Sequence, residues 1–133
     1  SNILAMAVPA CEYGTYTWKT IGYVLNTAHT GFLSAHWESE DMSVTPSRTV
    51  IPTGFWGCGA FGGNRILMAI LQALAAALAD VDIVFHALDD AGVSLVEDAY
   101  NLYKNTLDSA PSVSQILDAL VQRNFECRVS GGN

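Results

Sequence analysis

The stretch Thr53-Gly54-Phe55-Trp56-Gly57-Cys58-Gly59-Ala60-Phe61-Gly62-Gly63 decides the fold. A β-branched run, Thr49-Val50-Ile51, leads into it, and Asn64, a good helix cap, closes it. Residues 65–79 follow, apolar nearly all round, as expected of a helix in a core rather than on a surface. Strand, glycine loop and capped helix together make one unit of a layered α/β domain. Four of the seven residues 57–63 are glycine, which lets a backbone approach a ligand closely and adopt positive φ. Unpaired N–H groups at the start of the next helix, with its dipole, add a site suited to phosphate. The alternative is a tight turn in which glycine only allows close packing.

Outward from the loop the pattern continues. Residues 3–8 are a short apolar run ending at Pro9, predicted as a buried strand. Thr17 can cap a helix to about His29, with Gly31 as its stop and Trp18, Ile21, Val24 and Leu25 as its inner face. Residues 34–48 are polar, hold Pro46 and read as a loop. Residues 81–88 alternate little and are predicted as a strand covered on both faces. Ser94-Leu95-Val96-Glu97 reads as a capping box opening a helix to about Leu107. Ser112-Val113-Ser114-Gln115 reads as a second, opening a helix to about Arg123. The order is strand, helix, strand, helix, strand, helix, helix.

Composition bounds the function. The 133 residues are half hydrophobic and only 14% charged, enough to fill one core, with few charges for a free-standing domain. Some surface is therefore expected to meet a partner, another copy, or a further portion of the same protein. Thirteen acidic residues against six basic ones give a net charge of -7, and the basic residues are scattered. That disfavours direct nucleic-acid binding and attachment to an anionic membrane. Backbone N–H groups can still hold an isolated phosphate. The longest apolar stretch, 66–79, is too short for a membrane span and is broken by Gln72. Cys11, Cys58 and Cys127 form neither a disulfide framework nor a zinc pattern, so reduced thiols in an intracellular protein, with no metal, are expected.

Gly57-Cys58-Gly59-Ala60-Phe61-Gly62 also fits the dinucleotide-binding pattern G-x-G-x-x-G. That pattern requires an acidic residue closing the next strand. Asp82 has the spacing but precedes its strand, while Asp89 and Asp90 follow the strand but lie later and read better as a solvated turn. Cys58 near a helix N-terminus could be a nucleophile, but His29, His36 and His86 show no spacing that pairs one with it. His86 reads as a core histidine, and Trp18, Tyr100 and Tyr103 as core aromatics.

The stretch from Thr53 to Gly63 closely resembles the diphosphate-binding loop of the poly(ADP-ribose) glycohydrolases. The likeness extends to Leu25-Asn26-Thr27-Ala28-His29-Thr30-Gly31-Phe32-Leu33, to Ala69-Ile70-Leu71-Gln72 and Ala75-Ala76-Ala77, to Asp82-Ile83-Val84-Phe85, and to Glu126-Cys127-Arg128. It implies an α/β, macrodomain-like three-layer fold with a mixed sheet and flanking helices, or its C-terminal half, with residues 1–133 as a single domain. It implies that the backbone of Gly57, Cys58, Gly59, Ala60, Phe61, Gly62 and Gly63 wraps the diphosphate of ADP-ribose or poly(ADP-ribose). Phe61 would then lie against the ribose end, Phe55 would replace a polar residue of many members, and Leu88 would stand where the family commonly has an aromatic near the adenosine. No cofactor is implied.

The family's catalytic signature, three glycines followed after a short spacer by Gln-Glu-Glu, has no counterpart here. Glycosidic hydrolysis needs a placed carboxyl group to protonate the leaving oxygen, so no catalytic residue is carried over to this chain. Hydrolysis of ribose–ribose bonds is expected only with an acid-bearing upstream half. A catalytically inactive ADP-ribose reader and a self-associating structural module are the alternatives, and NAD-type dinucleotide binding is a lesser one.

Overall fold

A computed structural model describes residues 3–11, 13–42, 45 and 47–127. Six elements run in the order α1 (Trp18–Met42), β1 (Val50–Thr53), α2 (Arg65–Ala79), β2 (Asp82–Phe85), α3 (Asp90–Ser109) and α4 (Val113–Gln122). Strands β1 and β2 pair in parallel, Val50 opposite Asp82 and Thr53 opposite Phe85. A parallel pair needs a crossover, and α2 supplies it.

Helix α2 forms the centre because its sequence leaves it no solvent face. Leu67, Ile70, Leu71 and Ala75 are wholly buried, and Asn64 caps the helix by accepting from the Leu67 N–H at 3.1 Å. Helices α1 and α3 pack on either side of it, and α4 closes the far end through Ile116, Leu117 and Leu120. The strand faces differ. Ile51, Thr53, Ile83 and Phe85 are half-buried, whereas Val50, Pro52, Asp82 and Val84 are exposed. Among the described residues the domain is therefore two layers, a sheet with helices on one face.

Several expectations fail for identifiable reasons. Residues 3–8 form no strand; Ile3 is 95% exposed, and the segment instead drapes over the glycine loop and α1. Gly31 does not end α1, which runs on to Met42 through half of the expected loop. A Cβ at Gly31 would stand 2.5 Å from the Met6 Sδ, so this glycine admits the crossing segment rather than stopping the helix. Strand β2 is covered on one face only, His86 is exposed rather than core, and Trp18 and Tyr100 are about half exposed. Helix α3 begins at Asp90, capped by Asp89, whose carboxylate accepts from the Gly92 N–H at 2.8 Å; Ser94 and Glu97 lie inside it. At α4, Ser112 accepts from the Gln115 N–H at 3.2 Å as expected. Pro46 and Arg128, invoked above, lie outside the described residues.

The expected reduced thiols are also corrected, because Cys11 and Cys127 form a disulfide. They are 116 residues apart in sequence, which hid the pairing. An antiparallel contact makes it, with Tyr16 N–H donating to the Phe125 carbonyl at 3.2 Å and Cys127 N–H to that of Gly14 at 2.9 Å. Cys58 takes no part in a disulfide and is half-buried. No helix among the described residues is long and apolar enough to cross a membrane.

Candidate functional site

The glycine loop leaves the sheet at the carboxyl end of β1, beside the β2–α3 turn that leaves the carboxyl end of β2. In parallel α/β sheets this is the edge at which ligands bind. Its path is set by a chain of turn bonds. Trp56 N–H donates to the Gly54 carbonyl at 2.8 Å, Cys58 N–H to Phe55 at 3.1 Å, Gly62 N–H to Gly59 at 3.0 Å, and Gly63 N–H to Gly57 at 2.9 Å. Gly57 and Gly62 take φ of +72° and +70°, a region nearly closed to other residues. At Gly63 a Cβ would stand 2.5 Å from the Gly57 carbonyl oxygen. Three of the four glycines are therefore required by the path itself.

Gly59 is not. A Cβ there meets nothing within 4 Å, and Gly59, Ala60 and Phe61 are all exposed. The N–H groups of these three residues form no hydrogen bond among the described residues, while their neighbours on either side are engaged. The loop thus holds out three successive donors at its tip. The α2 terminus behind it is partly occupied, since the Asn64 side chain fills the Leu67 N–H and the Tyr16 hydroxyl accepts from the Asn64 N–H at 2.9 Å. Unengaged donors therefore lie at the loop tip, while those at the helix end are partly taken. The Arg65 guanidinium flanks the loop 5.1 Å over the Phe55 ring, which packs edge-on against Phe85 with centroids 5.0 Å apart.

A second set of residues, to which the sequence reading assigned no part in the site, holds this loop from behind. Gln72 is wholly buried, donates to the Gly54 carbonyl at 2.9 Å and accepts from the Thr53 hydroxyl. It is the one polar residue in the apolar stretch 66–79, and a buried amide must find partners; that signal was present. Trp56 donates its indole N–H to the Met6 carbonyl at 3.0 Å, and Val8 packs where a Gly57 Cβ would be. Cys11 N–H donates to the Phe61 carbonyl at 2.8 Å. Tyr16 is buried, and desolvation raises its pKa above the usual tyrosine value against the opposing effect of the Asn64 N–H. Nothing local in the sequence pointed to Tyr16 or Met6.

The other candidates separate. Phe61 is 54% exposed at the loop tip, Leu88 is 99% exposed on the β2–α3 turn, and Phe55 is half-buried under Arg65. The Cys58 thiol faces the Trp56 carbonyl at 3.5 Å. His36 lies instead 3.3 Å from Glu40 on α1. Asp82 opens β2 at the end of the sheet away from the loop and is held by Arg48 at 2.9 and 3.1 Å, so it is not placed for a ribose at the glycine turn. Asp89 is committed to capping α3. Two concavities lie elsewhere: about 570 Å³ between α2, β2 and α3, and about 970 Å³ between α1, β1 and residues 3–6. The loop site is a protruding donor ribbon rather than an enclosed pocket.

Comparison with known proteins agrees with the resemblance of the loop. The family model described as Poly (ADP-ribose) glycohydrolase (PARG), Macro domain fold, matches residues 2–94, a span that takes in the loop, both strands and α2. The chain is 54% identical to Poly(ADP-ribose) glycohydrolase 1 of Caenorhabditis elegans over 41 residues, 29% of this chain and 5% of that protein. It is 29% identical to Poly(ADP-ribose) glycohydrolase 2 of the same organism over 96 residues, 71% of this chain and 18% of that protein. The chain thus spans a small part of the length of either relative. With a match across more than half of its length, the chain belongs to the poly(ADP-ribose) glycohydrolase family, of macro domain fold.

Proposed function

We propose that this chain binds the diphosphate of ADP-ribose, free or at the end of a poly(ADP-ribose) chain, on the tip of its glycine loop. The observation that carries the reading is the run of three exposed, unengaged N–H groups at Gly59, Ala60 and Phe61. Successive backbone donors of this kind make an anion-binding concavity without bringing net charge. That suits a chain of net charge -7, in which Arg65 is the cation nearest the loop's aromatic wall. Phe61 would then lie along the ribose end, with Leu88 and Phe55 toward the nucleoside. The residues here supply binding and position; the general acid for ribose–ribose hydrolysis has to come from an acid-bearing upstream half. The exposed sheet face, with Val50 and Val84 about half exposed, supports completion of the domain by further chain. An inactive reader shares the same site and lacks that half, and the NAD reading is weakened by the engagement of Asp82 and Asp89.

Calorimetric titration with ADP-ribose tests this, beside a Gly59→Glu variant. A Cβ at Gly59 enters open space and its φ is not positive, so the variant keeps the loop's path while placing a carboxylate among the donors. Micromolar binding, about -8 kcal/mol, lost in the variant, is the expected result. Equal binding by both proteins would remove the loop tip as the site. No binding by the parent chain would remove the proposal for this chain by itself.

A further inference from the structure

The disulfide joins two segments that both grip the glycine loop. On one side Cys11 gives its own N–H to the Phe61 carbonyl at 2.8 Å, and the same segment seats Val8 against Gly57 and takes the Trp56 indole N–H on Met6. On the other side Glu126, next to Cys127, accepts the Asn64 side-chain amide at 3.1 Å, at the point where the loop becomes α2. Beyond the disulfide, described contacts between the two segments are few: the isolated antiparallel bridge between Thr15 and Glu126, made by the Tyr16 N–H bond to the Phe125 carbonyl and the Cys127 N–H bond to that of Gly14. The residues preceding Cys11 belong to no helix or strand, so little secondary structure holds them in place. Both cysteines are half-buried rather than sealed in the core, so a small reductant can reach them.

We propose that the Cys11–Cys127 disulfide is a redox-sensitive clamp on the glycine loop. Oxidised, it fixes the segment before Cys11 along the loop and holds the Phe61 carbonyl, and with it the direction of the neighbouring N–H donors. A dithiol reductant opens it by thiol–disulfide exchange: its first thiolate attacks one protein sulfur, its second releases the mixed disulfide, and the reductant leaves as a cyclic disulfide. The two electrons and two protons end on the Cys11 and Cys127 thiols. The segment can then lift from the loop, and the donors at Gly59, Ala60 and Phe61 lose their fixed spacing. Weaker ligand binding in the reduced form rests on the diphosphate reading above; the release of the loop does not.

Amide hydrogen exchange followed residue by residue tests the clamp, on the air-oxidised chain, on the same chain in dithiothreitol, and on Cys11→Ser/Cys127→Ser. Reduction is expected to speed exchange at Cys11, Gly62 and Gly63 by about tenfold or more while Leu71 in α2 stays protected. ADP-ribose affinity measured alongside is expected to fall by about tenfold. Unchanged exchange at the loop would overturn the clamp, as would an equal rise at Leu71, which would mean general loosening. A tryptic map of the oxidised chain lacking a Cys11–Cys127 crosslink would also overturn it. Should the double variant not fold, the oxidised and reduced parent chain give the same comparison. Loop exchange that responds while neither form binds ADP-ribose would uphold the clamp and sink the diphosphate reading.

Discussion

Gly59 and Gly63 stand four residues apart in one loop and are glycine for opposite reasons. A methyl at Gly63 would press on the Gly57 carbonyl oxygen and approach the Cys58 sulfur at 3.3 Å, and that carbonyl is itself held by the Gly63 N–H. A backbone oxygen cannot swing aside as a side chain can. Gly63→Ala is therefore expected to cost about 1–3 kcal/mol in urea denaturation, and Gly59→Ala to stay within about 0.5 kcal/mol. If Gly63→Ala proved as stable as the parent chain, the loop path described here would be wrong. The sequence made the glycine cluster visible but could not say which glycines serve the path and which face open space, because the neighbours that decide come from Val8 and from the loop's own carbonyls. Tyr16 adds a pH dependence. Burial raises its folded-state pKa above the ordinary 10.0, and Tyr103 is shifted the same way for the same first reason. Below pH 10 both states carry neutral phenols, so the stability is fully present. As pH rises from 10 toward the folded value, the unfolded chain loses protons first and the stability falls. Equilibrium unfolding across this alkaline range should show the loss for the parent chain and a shallower one for Tyr16→Phe.

At the scale of elements, legibility followed whether the determining partners were local. Helix α2 was legible at both ends because its cap, Asn64, and its apolar content, interrupted only at Gln72 after Arg65, sit within its own sequence. The start of α1 was legible for the same reason, since the Thr17 hydroxyl accepts from the Thr20 N–H at 3.1 Å. Its end was not, because Gly31 answers to Met6 across the fold rather than to its own helix. The start of α3 shows two local signals in competition. Ser94-Leu95-Val96-Glu97 has the form of a capping box, yet Asp89, five residues earlier, takes the cap, and Gly92 lies so close to Phe55 that an added Cβ would stand 3.3 Å from its ring. The earlier start wins by docking the helix against the loop's aromatic wall, a contact the box would not have provided. Asp89→Ala should accordingly cost about 1 kcal/mol, and Glu97→Ala, inside the helix, well under that. Thermal melts of the two variants side by side check this, and a larger loss from Glu97→Ala would place the cap at Ser94 after all.

At the scale of the whole molecule, the described residues place four helices with a small two-stranded sheet whose other face is open, and tie Cys11 to Cys127 behind the glycine loop. The glycine loop and its flanking strands could be read from sequence, whereas the tie between ends 116 residues apart could not, because no local pattern records so distant a contact. The tie should matter for stability as well as for the loop. A crosslink spanning that much chain restricts the unfolded ensemble strongly, by up to about 4.7 kcal/mol for a loop of about 100 residues in the chain-entropy account. The folded side offers little to offset its loss, since the segments that meet at the disulfide share one isolated bridge and few other bonds. Guanidinium unfolding in the presence and absence of dithiothreitol is therefore expected to show the reduced chain less stable by a few kcal/mol, with a larger m-value as its unfolded state expands. A midpoint that does not move would mean that the reduced ends hold each other as well as the bond does, and that the disulfide restrains the loop without securing the fold.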